Sequence, residues 1–177
     1  MVKYRRTFLP GGTFFFTVTL RNRRAKYLTE HIDTLRQAMR TTQIKKPYHI
    51  NAVVILPDHL HTIWTLPQND NDYSTRWRDI KTIFTKELLK KGCRFPKDNR
   101  HRHALWQSRF WEHTIKNQED LEHHINYIHY NPVKHGLVDS VLHWPYSSFH
   151  KYLHQGTLPK NWATAAHINN DMKSYGE

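Results

Sequence analysis

The sequence predicts an α+β fold, an antiparallel β-sheet with helices packed on it. Two observations carry this. Short runs rich in β-branched and aromatic residues alternate with longer stretches whose apolar residues recur at helical spacing. Their order is strand, helix, two strands, helix, strand, helix. That order suits an antiparallel sheet with helices on one face, broadly ferredoxin-like, in one domain.

Each element has a local reason. Gly11-Gly12 make a turn before the apolar run 13–20, Thr-Phe-Phe-Phe-Thr-Val-Thr-Leu, which reads as a buried strand. Ile32, Leu35 and Met39 then follow helical spacing, with Thr29 placed to cap the helix. Residues 48–56 form a second strand, Pro57-Asp58 a turn, and residues 61–66 a third strand paired with the second. Ser74 is placed to cap a helix whose stripe is Trp77, Ile80, Phe84 and Leu88, and Gly92 stops it. A basic loop, 94–103, leads to a short fourth strand within 105–115. A third helix covers 117–131 and Pro132 is expected to end it. A last short helix spans 146–153. Residues 1–153 read as the catalytic domain and 154–177 as a polar, loosely held tail.

Composition narrows the function. The 177 residues carry 27 Lys and Arg against 15 Asp and Glu, a formal charge of +12, and 13% aromatic residues. Mean hydropathy is −0.80. Basic charge together with abundant aromatic rings favours a nucleic-acid partner, because phosphates need cations and unpaired bases need stacking surfaces. Cys93 is the one cysteine, which excludes an intrachain disulfide and a cysteine-based zinc finger. No signal peptide and no apolar stretch near the ~20 residues of a membrane span is found. No phosphate-loop motif accompanies Gly11-Gly12.

The chemistry concentrates in two segments. In Pro57-Asp58-His59-Leu60-His61 the histidines are two apart, so a strand points both to one face, where they can share a cation. In Tyr127-Ile128-His129-Tyr130-Asn131-Pro132, Asn131 lies at i+4 from Tyr127, beside it on a helix. At ~100° per residue, Leu121, Ile125 and Ile128 should face the sheet, and Tyr127 should sit off that stripe among polar residues. Two imidazoles and an amide make an open cation site that adds no negative charge to repel a phosphate. A tyrosine beside it can attack phosphorus and store the bond as a phosphotyrosine. Each feature alone has a bland reading: the chain has 15 histidines, and an Asn before Pro is often only a helix terminator. Tyr130, one turn on, is the rival nucleophile. Glu112 and His113 are candidates to assist proton transfer or to support the site, with buried structural roles as the alternative. Lys3, Arg5, Arg6, Arg21, Arg23, Arg24, Arg76, Arg78, Lys81, Arg100, Arg102 and Arg109 are the candidate phosphate contacts.

Taken with Trp106-Gln107-Ser108-Arg109-Phe110-Trp111-Glu112-His113, Val133-Lys134-His135-Gly136-Leu137-Val138 and Trp144-Pro145-Tyr146-Ser147-Ser148-Phe149, these segments resemble the REP-associated tyrosine transposases, a branch of the HUH single-tyrosine transposases. The resemblance implies that His59, His61 and Asn131 bind Mg²⁺ or Mn²⁺ and that Tyr127 is the nucleophile. It implies a 5′-phosphotyrosine and a free 3′-hydroxyl. It also implies single-stranded DNA bearing repetitive extragenic palindromic hairpins as substrate, and a monomer in the bacterial cytoplasm, on the nucleoid when bound to DNA. The alternatives are a non-catalytic hairpin-binding regulator and, further off, a hydrolytic zinc enzyme.

Overall fold

The computed structural model describes residues 8–158 and Trp162. Four strands, β1 (Thr13–Thr19), β2 (His49–Ile55), β3 (His59–Thr65) and β4 (Trp111–Thr114), form one antiparallel sheet in the order β2-β3-β1-β4. The helices are α1 (Tyr27–Glu30), α2 (Ile32–Lys45), α3 (Tyr73–Lys90), α4 (Gln118–Lys134) and α5 (Phe149–His154), with a 3₁₀ turn at Val141–His143.

The helices lie on both faces of the sheet, not on one. The reason is in β1, whose residues are buried on both sides. Phe14, Phe16 and Val18 pack with Leu35 and Met39 of α2 and with Trp77, Ile80 and Phe84 of α3. Phe15 turns the other way and packs with Val54, Ile63, Tyr127 and Ile128 beneath α4. A continuous apolar run, in place of strict alternation, is what a strand covered on both faces requires. Each buried Phe contributes about 1.5–3 kcal/mol. Trp64 stacks on Trp77 at 4.2 Å between ring centroids and locks α3 to β3.

Several local expectations change. Thr29 does not cap α2: it lies within α1, its hydroxyl donates to the Lys26 carbonyl, and α2 starts after His31. Asp72, not Ser74, caps α3, accepting from the Thr75 N–H at 2.9 Å, because the chain already turns at Asp70. Pro132 does not end α4, which runs on to Lys134. A proline removes one hydrogen bond, and in the last turn the following bond, His135 N–H to the Asn131 carbonyl, still closes. The stop is Gly136, at φ 64°. Its N–H donates to the Val133 carbonyl, and the Leu137 N–H donates to the Pro132 carbonyl. This is the paired closure of a glycine-ended helix. Helix α5 begins only at Phe149 because Tyr146, Ser147 and Ser148 run along the edge of β2. Of the tail, Trp162 packs its ring against Phe149 and His129, and the remainder beyond residue 158 lies outside the described residues.

His129 joins these parts. It is wholly buried, and Ser148 Oγ, which also accepts from the Val53 N–H, lies 3.0 Å from its Nε2. Burial, reinforced by the charge of His150, pushes its imidazole down to about 3 from 6.5. The folded protein therefore resists a proton that the unfolded chain accepts. The stabilising difference is intact above pH 6.5 and is lost as pH falls toward 3. Denaturant titrations at pH 7.5 and 5 should show stability falling by up to about 1.4 kcal/mol per pH unit from this group. The His129→Gln variant, neutral throughout, should show a shallower pH slope, and an unchanged slope would contradict this account.

Candidate active site

Strand β3 begins at His59, so both histidines are strand residues and point to the α4 side. Across the β1–β3 ladder His61 opposes Thr17 and His59 opposes Thr19. Both rings are buried, at 2% and 0% exposure, and their centroids are 5.0 Å apart. Each is held through Nδ1: that of His61 lies 2.9 Å from Thr17 Oγ1, and that of His59 lies 2.8 Å from Asp58 Oδ1. Burial pushes the Asp58 carboxyl up. The His59 hydrogen bond, the His59 charge and Arg23, whose Nε is 2.5 Å away, outweigh that and hold it below the usual carboxylate range. An ionised carboxylate only accepts, so it favours the neutral His59 tautomer with its proton on Nδ1, which leaves the Nε2 lone pair open. That Nε2 is buried with no hydrogen-bond partner among the described residues. A histidine oriented by a carboxylate with its far nitrogen held open is suited to a cation. The residues present therefore fit one.

Helix α4 lays Tyr127 over this pair. The Tyr127 ring is wholly buried, 5.2 Å from the His61 ring and 6.0 Å from Phe15. Its hydroxyl accepts from Lys134 Nζ at 3.2 Å. Asn131, one turn on, is also wholly buried. The face expected toward the sheet does pack there, but Tyr127, expected off it, joins it. Tyr127 faces the sheet together with Ile128, while Leu121 and Ile125 are only partly buried. Apolar content misled because the sheet at this point offers polar rings, so the buried side of α4 carries His124, Tyr127, His129 and Asn131. Tyr130 is half-buried.

His113 and Glu112 point to opposite faces of β4. Glu112 is buried opposite Phe16, on the side of α2 and α3. His113, opposite Phe15, joins Asp120 and His124, whose ligand atoms lie within 4.8 Å of one another and could hold a cation. Asp120 bonds His113 Nε2 at 2.9 Å and the Lys116 N–H at 2.9 Å, so the group also ties the start of α4 to β4. Burial raises the Asp120 carboxyl, but these hydrogen bonds and the two imidazole charges pull it below its ordinary value. Burial pushes the His124 imidazole down.

Of the basic candidates, Arg76 is a structural residue. It is 2% exposed, its guanidinium pairs with Asp70 at 2.6 Å, and it donates to the Pro47 and Asp72 carbonyls. Five others are gathered. Arg21, Arg78, Lys81, Arg102 and Arg109 line a cleft of about 1050 Å³ between α3 and the segment 102–110. Lys81 Nζ stands 5.6 Å from the Trp106 ring centroid and 5.7 Å from that of Phe110. Arg100 lines a smaller adjoining recess, Arg23 is turned to Asp58, and Arg24 is exposed. Lys3, Arg5 and Arg6 lie outside the described residues. Asp58, Thr17 and Lys134 were missed as site residues. Asp58 reads as a turn former, and the other two make contacts that only the fold reveals.

A tyrosine-bearing helix laid over a strand-borne histidine pair, on a four-stranded antiparallel sheet, is the frame of a DNA-processing enzyme of the single-tyrosine transposase class. The comparisons agree. The family described as "Transposase IS200 like" matches residues 15–131. A REP-associated tyrosine transposase of Escherichia coli K12 is 47% identical over 163 residues, covering 92% of each chain. A relative in Haemophilus influenzae is 43% identical over 180 residues, covering 100% of this chain and 99% of its own. The solved structure of a REP-associated tyrosine transposase bound to a REP hairpin superposes with a TM-score of 0.86 at 45% identity, covering 100% of this chain and 98% of that one. The chain belongs to the IS200-like transposase family, in its REP-associated tyrosine transposase branch. Among the described residues no helix is long and apolar enough to cross a membrane.

If Asp58 orients His59 as the geometry indicates, Asp58→Ala should weaken Mn²⁺ binding by about 10- to 100-fold. Isothermal titration measures this, and undiminished affinity would separate the carboxylate from the cation site.

Proposed function

We propose that the protein cleaves and rejoins single-stranded DNA beside REP hairpins, acting as a monomer, with Tyr127 as nucleophile. The observation that carries this is the burial of the Tyr127 ring 5.2 Å from His61, on the face where His59 Nε2 is held open. His59, His61 and Asn131 would hold Mg²⁺ or Mn²⁺, which when bound supplies charge stabilisation at the scissile phosphate. The remaining work falls to side chains. Asp58 and Thr17 fix the two imidazoles by their Nδ1 atoms, so the rings do not reorganise during reaction. Tyr127 Oη attacks phosphorus, the bond to the 3′ oxygen breaks, and a 5′-phosphotyrosine and a 3′-hydroxyl remain. Phe15 and Ile128 pack in the same cluster as the Tyr127 ring and limit its movement.

The cleft beside α3 suits the DNA that flanks the reacting phosphate. It offers cations to the backbone, and Trp106 and Phe110 to an unpaired base. It lies on the α3 side of the sheet, whereas the histidine pair lies under α4, so this reading has DNA passing round the sheet.

On a labelled single strand carrying a REP hairpin, with Mn²⁺, wild-type protein should give a covalent adduct on a denaturing gel. Tyr127→Phe should give none while retaining hairpin binding, and an adduct in that variant would move the chemistry to Tyr130. His59→Ala and His61→Ala should lose Mn²⁺-dependent cleavage. Binding by every variant, and by wild type, without any adduct would favour a hairpin-binding regulator. For the cleft, the double variant Lys81→Ala, Arg109→Ala should weaken binding and reduce the log–log salt slope by about 0.7–0.9 per lost phosphate contact. An unchanged slope would place the DNA elsewhere.

A further inference from the structure

We propose that Lys134 is the charge partner of the Tyr127 phenolic oxygen, holding it for attack and stabilising its negative charge when the tyrosine is expelled. This rests on the reading of Tyr127 as nucleophile and goes beyond it by assigning the group that manages the charge on its oxygen.

The geometry is direct. Lys134 Nζ donates to Tyr127 Oη at 3.2 Å, and the same ammonium stands 4.8 Å from the ring centroid. The two residues are seven apart, so at ~100° per residue they share a helix face two turns distant. That relation exists only because α4 continues through Pro132 to Lys134 and is closed by Gly136. Had the helix stopped at Pro132, the lysine would have left the face. Beside the phenol lie the rings of His61 and Phe15 and the Lys134 ammonium. Lys134 brings a full positive charge within hydrogen-bond reach of the phenolic oxygen.

A buried phenol needs a hydrogen-bond partner for folding alone. A neutral donor would satisfy that need. A reacting phenol needs more. In cleavage the bond from phosphorus to Oη forms as the bond to the 3′ oxygen breaks. The phenol proton passes to water, and the departing 3′ oxygen takes a proton from water. In rejoining, a 3′-hydroxyl attacks the phosphotyrosine, gives its proton to water, and Oη leaves as phenolate. Lys134 remains an ammonium in both directions and faces the oxygen at each stage. A charged hydrogen bond of this kind is about twice as strong as a neutral one.

Charge, not hydrogen bonding alone, is therefore what the test must separate. Lys134→Gln keeps a donor and loses the charge, and Lys134→Arg keeps both. Single-turnover adduct formation would be measured on the oligonucleotide hairpin bound by the solved relative, with its flanks, in Mn²⁺. Rejoining would be measured by adding a 3′-hydroxyl strand to isolated adduct. Hairpin affinity would be measured separately. Lys134→Gln should slow both chemical steps by about 10- to 100-fold. Its hairpin affinity should stay within about twofold of wild type. Lys134→Arg should recover most of the rate. Equal rates in Lys134→Gln and wild type would overturn the inference, as would loss of affinity in step with rate or failure of Lys134→Arg to recover. Tyr127→Phe, run alongside, distinguishes the two levels. An adduct in that variant, or none in wild type, would remove the nucleophile and this inference with it. An adduct confined to chains with Tyr127 but indifferent to residue 134 would remove this inference alone.

Discussion

The register between β1 and β3 sets the rest of the structure. It places Thr17 opposite His61 and Thr19 opposite His59, and Phe14 opposite Trp64. Side chains alternate along a strand, so a slip of one residue would send the histidines to the α3 side and Trp64 to the α4 side. The aromatic core under α2 and α3 prevents this. Trp64, Trp77, Phe14 and Phe16 are wholly or almost wholly buried together, and moving any of them to the polar side would forfeit several kcal/mol. The apolar face thus fixes the geometry of the polar one.

That division explains what could be read from the chain and what could not. The strands were legible because β-branched and aromatic runs have little other use. The histidine pair was legible because i and i+2 share a face wherever the strand falls. The Tyr127–Asn131 spacing was legible for the same local reason. The burial of Tyr127 on the same side as Ile128 was not, because amphipathicity assumes that the buried side is the apolar one, and here the sheet presents imidazoles. The hold on His61 was not legible either: Thr17 is 44 residues away and becomes its neighbour only through the ladder. Arg76 resembled the surface cations around it on α3, yet Asp70 and the carbonyl of Pro47, contributed by other segments, enclose it.

The buried side of α4 carries a cost that the fold offsets elsewhere. His124, His129 and Asn131 are polar groups with almost no access to water. Such groups are tolerable where partners are supplied in place. Asp120 partners His124 within the helix and His113 on β4 at its start, and Ser148 partners His129 near its end. The helix is therefore pinned at both ends, and Tyr127 lies between the pins.

The sheet that separates the basic cleft from the histidine pair also makes them independent of one another. A residue on the outer side of α3 can change without disturbing any ring under α4, because the Phe14–Trp64–Trp77 layer stands between them. Effects of substitutions that far apart, with no shared partners, generally add. The charge and shape of the cleft can therefore change while the packing beneath α4 stays as it is. On the proposed reading of the cleft as a DNA surface, one scaffold is retuned to successive sequences without rebuilding its centre.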